Sequence, residues 1–173
     1  MNLEIIFADK LSKPKEKIEV ISKALLDKKI SFDALILFAV NAKDPIKASC
    51  IEALEFATKT NPKTANLKCL EFVSQTLTSK APRVKWESAR VVGNIAHLFP
   101  DKLNTAVKNL LLNSEHEGTV VRWSAAFALG EIIKLKSKKY ASLIPAAEAI
   151  CKREEKNSII KIYQAAIKKT SKS

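Results

Sequence analysis

The chain contains an internal repeat, and no other feature restricts its fold as tightly. Val84 to Ile95 (VKWESARVVGNI) lies over Val121 to Ile132 (VRWSAAFALGEI) at a shift of 37 residues. The first three positions match as apolar, basic and Trp, the fifth and sixth are small, and an apolar residue, Gly and Ile close both segments. A third copy lies 38 residues upstream at Ile46 to Ala57 (IKASCIEALEFA), where Ile46, Lys47, Cys50 and Leu54 fill the matching places. A unit of that length cannot bury its own apolar face, so copies must stack and share one continuous core.

Each unit reads as two helices. Phe32 to Ala42 precedes Pro45 to Lys59, Ala65 to Thr78 precedes Pro82 to Leu98, and Leu103 to Asn113 precedes Thr119 to Leu135. A fourth pair runs from Ser142 to Cys151 and from Ser158 to Lys169. Upstream, Pro14 to Lys28 reads as the second helix of an N-terminal unit whose short first helix falls within Leu3 to Lys10. Pro14, Pro45 and Pro82 mark helix starts, because a first-turn proline forfeits no hydrogen bond. Asp44 is expected to cap the helix that begins at Pro45, and Gly118 breaks the chain before the copy at Val121. With only 3 Gly in 173 residues, and Ala, Leu, Ile, Lys and Glu in long runs, helix is favoured throughout.

At about 100° per residue, Val84, Ser88, Ala89, Val91, Val92 and Ile95 gather on one side of their helix, as do Val121, Ala125, Ala126, Ala128, Leu129 and Ile132. This stripe is core. Lys47, Lys85 and Arg122 share one repeat position at its edge and are expected to form a structural ladder between neighbouring units, since a half-buried cation needs carbonyl or carboxylate acceptors. Opposite the stripe lie Trp86, Arg90, Gly93, Asn94 and His97 on one helix, and Trp123, Phe127, Gly130, Glu131 and Lys134 on the next. Full exposure of two Trp residues would forfeit roughly 2 to 3 kcal/mol each, so something is expected to cover them. Trp86, Arg90, Trp123, Phe127 and Lys134 are the candidate floor of a partner-binding groove, because aromatic residues and Arg are favoured anchors. The same stripe continues through Ala48, Glu52 and Glu55 in the earlier repeat and Lys161 and Lys168 in the last, running from acidic through aromatic to basic.

The string Val121, Arg122, Ala125, Ala126, Leu129 and Gly130 resembles the second helix of a HEAT repeat. The resemblance implies an all-α fold, a right-handed α-α superhelix (α-solenoid) of about four to five HEAT-like helix pairs with second helices lining a concave surface. It implies one domain over residues 1–173, with a capping unit at 1–29, repeats at 30–170 and a tail at 171–173. HEAT-like and armadillo-type solenoids serve as binding scaffolds, so a non-enzymatic adaptor with a protein or peptide partner is the expected function.

The net charge is +12, and residues 134–173 carry +8 of it. Such an end could meet nucleic acid, an anionic membrane surface or an acidic partner. Some DNA alkylation-repair glycosylases are built from HEAT-like repeats, and Trp86 and Trp123 with Glu87 or Glu52 could imitate their cleft. Against that reading, no Asp lies on the inferred concave face, and Glu52 and Glu55 would repel phosphates. Cys50, Cys69 and Cys151 sit in apolar runs with no disulfide or metal spacing and read as small buried hydrophobes. His97 and His116 lack useful partners. No phosphate loop, metal cluster, cofactor motif or catalytic residue stands out, and no stretch has the length of a membrane span. Without a secretory signal, a cytoplasmic location is expected. The sequence leaves the oligomeric state open.

Overall fold

The computed structural model describes residues 1–171, and those residues form an all-α solenoid. Ten α-helices occur among them: α1 (Leu3–Ala8), α2 (Pro14–Leu26), α3 (Phe32–Asn41), α4 (Asp44–Thr60), α5 (Leu67–Thr76), α6 (Pro82–Ile95), α7 (Asn104–Asn113), α8 (Thr119–Lys134), α9 (Leu143–Arg153) and α10 (Asn157–Thr170). Short 3-10 turns follow α4, α6 and α8. Of the tail at 171–173, only Ser171 is among the described residues.

Local chemistry explains most of the ends. Pro14 and Pro82 are the first helical residues of α2 and α6. Ser31 and Asn66 accept hydrogen bonds from the amides of Ala34 and Cys69, so α3 and α5 begin with side-chain caps. The expected cap at Asp44 is corrected. Asp44 is itself helical, Lys43 holds the cap position without a side-chain bond, and Pro45 is the second residue of α4. The carboxylate still faces the positive end of the helix dipole, as an acid of the first turn. Lys28 and Lys136 adopt φ of 58° and 53° just past α2 and α8, turning the chain where glycine is more usual.

The second helices α2, α4, α6, α8 and α10 pack on one another in succession, whereas α3, α5 and α7 touch more sparsely. Closer spacing on one side bends the stack, so the second helices line its inner face. One core cluster extends from Leu3 to Ala166. The small residues of the repeat set the spacing. A Cβ at Gly93 would fall on the ring of Phe127, so the α8 phenyl lies directly across the α6 backbone. One repeat later, Ile162 Cγ2 of α10 stands 3.3 Å from the place a Gly130 Cβ would take. Both glycines are buried; the sequence pattern had placed them on the open side.

Candidate binding face

The inner face is built from one ridge of each second helix. On α8 the residues that are not buried along this ridge are Val120, Trp123, Phe127, Glu131 and Lys134, spaced three or four apart. Trp123 is 39% exposed and Val120 54%. The rings of Trp123 and Phe127 are stacked, with centroids 6.2 Å apart and planes 6° from parallel. Phe127 is half-buried because it also rests on Gly93, which fixes the pair from below. Lys134 lies two helical turns beyond Phe127 and is held by Glu131 at 2.6 Å.

Trp86 occupies the equivalent position on α6 but is half-buried, and its indole N–H donates to Glu87 Oε1 at 2.8 Å. The two tryptophans are therefore unequal: Trp123 of α8 is exposed, and the second helices also expose Phe56 of α4, at 41%. Around Trp86 the face is ionic. Glu55 of α4 and Glu87 of α6 are 2% and 4% exposed, and Arg90 reaches both, at 2.8 Å to Glu55 Oε1 and 3.6 Å to Glu87 Oε2. Burial pushes both carboxyls above the usual range, and Arg90 counters it in each, beside the Trp86 hydrogen bond to Glu87. Glu55 Oε2 and Glu87 Oε2 accept no hydrogen bond from the described residues. Asn94 donates to the Glu55 carbonyl and to Thr58 Oγ1, tying α6 to α4. Glu52 pairs with Arg83. The acidic end of the expected stripe is thus corrected: Glu55 and Ala48 are buried, and the chain's own guanidinium groups meet the carboxylates.

Of the ladder, Arg122 reaches furthest. It binds Glu154 through Nε at 2.9 Å and Nη2 at 3.3 Å, and its Nη1 donates to the carbonyls of His116 and Glu117 at 2.9 and 2.8 Å. This joins α8 to the turn between α9 and α10, and holds the Glu154 carboxyl below its ordinary range. Lys85 donates to Asn113 Oδ1 at 3.0 Å and to the Leu77 carbonyl at 3.4 Å, and burial lowers its pKa. Asn113 in turn donates to the same Leu77 carbonyl. Lys47 makes no side-chain hydrogen bond or ion pair among the described residues, so the three members are not alike.

On α10, Lys161 and Lys168 are exposed and enter no ion pair among the described residues. Among the described residues, nothing on the inner face assembles into a catalytic constellation. His97 is exposed, and His116 Nδ1 accepts the Gly118 amide in its own turn. No group of three potential metal ligands comes together among the described residues, and no helix of theirs is long and apolar enough to cross a membrane. Cys50 and Cys69 are buried, with thiols pushed up to about 12, whereas Cys151 is half-buried rather than buried. A hollow of about 520 Å3 lies away from these aromatics, beside Leu25, Phe32, Asp33 and Asn66. Sequence reasoning missed Val120, Arg83 and the burial of Glu55. The Glu87 and Arg90 pair at i and i+3 was the available signal for an ionic cluster.

No protein-family model and no curated protein matches the chain. Solved structures do resemble it. A designed armadillo repeat protein in complex with the peptide (KR)4 has a TM-score of 0.73 and 16% identity, over 97% of this chain and 80% of that one. A second designed armadillo repeat protein has a TM-score of 0.69 and 14% identity, over 97% and 80%. An engineered protein has a TM-score of 0.70 and 16% identity, over 99% and 80%. At these identities the likeness is one of fold, and the chain has the fold of an armadillo/HEAT-like helical repeat solenoid.

Proposed function

We propose that the protein is a non-enzymatic binding scaffold whose concave face takes a segment of another protein, with Trp123 and Phe127 as the anchor. The observation that carries this reading is the stacked Trp123–Phe127 pair, left partly open on the inner surface while the equivalent Trp86 is tied down. A rigid aromatic platform costs little side-chain entropy on binding and offers a large contact area. The solved armadillo neighbour that holds a peptide lends the reading support from the fold. Arg90 and Lys134, already paired with Glu55 and Glu131, flank the platform as orienting groups. We further take the repeats to be of the HEAT type, on the strength of the Val121–Arg122 string and the Arg122 brace across the following turn.

The test uses peptides selected from a random displayed library against the intact protein. They should shift the Trp123 indole signal in proton–nitrogen NMR spectra. Trp123→Ala should abolish their binding, while Leu112→Ala, at a residue 63% exposed on the first helix α7, should leave it unchanged. Selected peptides that bind the Trp123→Ala variant as well as the parent would remove the concave platform from the function.

A further inference from the structure

The inner face is electrically lopsided in a way that selects the charge of what binds there. On α4 and α6 the carboxylates of the ridge have internal cations: Glu52 meets Arg83, and Glu55 and Glu87 meet Arg90. The Arg90 guanidinium fills the place a partner's lysine or arginine would need, with Glu55 and Glu87 almost wholly buried beneath it. A basic segment therefore finds no open anion there. On the other side of the aromatic pair, α10 carries Lys161 and Lys168 on the side turned away from its buried Ile159, Tyr163 and Ala166; both are exposed and without an ion pair among the described residues, and Lys168 also borders a hollow beside Glu148 and Cys151 of α9. They belong to the stretch from 134 to 173 that holds +8 of the net charge of +12.

We propose that the segment bound on the concave face is acidic, with one large apolar side chain seated on Trp123 and Phe127 and carboxylates meeting Lys161 and Lys168. This rests on the scaffold reading above and adds the partner's chemistry. Complementary charge raises the encounter rate and fixes the register, while the aromatic contact supplies most of the hold. A nucleic-acid strand fits less well. Its affinity requires a continuous run of uncompensated cations, whereas the ridge beside Trp123 contains Glu131, and its lysine is already paired.

The test is the composition of peptides selected from an unbiased twelve-residue library by the intact protein, followed by affinity measurements with one selected peptide. Enrichment of Asp and Glu around a single aromatic or branched residue is expected. The double variant Lys161→Glu with Lys168→Glu should weaken the peptide about tenfold and shift selection toward basic sequences. Both positions are exposed, so the melting point should stay that of the parent. Enrichment of Lys and Arg with binding still dependent on Trp123 would overturn the acidic specificity and leave the scaffold reading standing. Failure to enrich any sequence over the Trp123→Ala protein would remove both. A twenty-nucleotide single strand that binds at moderate salt, loses binding in the double lysine variant and ignores Trp123→Ala would assign the lysines to nucleic acid and overturn the inference.

Discussion

At the scale of single residues, two carboxylates of opposite behaviour sit on the ladder and beside Trp86. Glu154 is nearly buried, and Arg122 holds its pKa down. It therefore contributes stability above the unfolded carboxylate value of about 4.3, and that stability is lost as pH falls through the depressed folded value. Arg122→Ala strands this carboxylate and frees the His116 and Glu117 carbonyls. We expect a loss of about 1 to 3 kcal/mol at neutral pH in chemical denaturation, with much of the difference gone in acid; an unchanged midpoint at neutral pH would contradict the brace. Glu87 runs the other way. Its folded pKa is raised by burial, so its contribution is present below about 4.3 and is lost as pH rises through the folded value. Glu87→Gln keeps an oxygen for the Trp86 indole and removes the ionisable group. It should raise the melting point at pH 8 more than at pH 4, and a fall at pH 8 that is absent at pH 4 would show instead that the charge itself is needed to hold Arg90.

At the scale of helices, the glycines govern how closely the inner layer packs. A methyl at Gly93 collides with the Phe127 ring, whereas at Gly130 it meets Ile162 at 3.3 Å and Ala166 at 3.6 Å, which a small shift accommodates. Gly93→Ala is thus expected to cost about 1 to 3 kcal/mol and to change Trp123 emission by unstacking its partner. Gly130→Ala should cost less, offset by the gain in helix propensity; equal costs in urea denaturation would refute the asymmetry. This contrast also shows what the sequence could and could not reveal. Helical period and proline placement gave the second helices to within a residue or two, because a helix start is a local event, except at the end of α6, where the last three expected residues, Ala96 to Leu98, form a 3-10 turn. Asp44 was misplaced because Asp is equally content as a cap and as a first-turn acid. Repeat register treated Trp86 and Trp123 as equivalents, yet their burial depends on neighbours that do not repeat: Glu87 beside one is Ser124 beside the other. Glu55 looked open for the same reason, since its cover is Arg90, supplied from the next repeat.

At the scale of the whole molecule, each repeat is stabilised mainly by the one before and the one after, so stability should be graded along the stack. The inner contacts α4 to α6 and α6 to α8 lie between flanking units, and cross-repeat bonds from Asn94, Asn109 and Asn113 tie them further. At the amino-terminal end, α1 is held by the Phe7–Phe38 stack and by Lys17, which donates to the carbonyls of Phe7 and Asp9. At the other end, α10 rests on Ile159, Tyr163 and Ala166 against α8 and α9, and carries the exposed lysines of the proposed partner site. Native-state amide hydrogen exchange should accordingly be slowest in α6 and the first half of α8, intermediate in α4, and fastest in α1 and α10. An acidic peptide bridging Trp123 to Lys161 and Lys168 would join α10 to the most stable helices. Bound peptide should therefore slow exchange in α10 more than in α4, although α4 also lines the inner face. Equal slowing of the two would mean that the ligand stabilises the stack as a whole and makes no particular contact with its basic end.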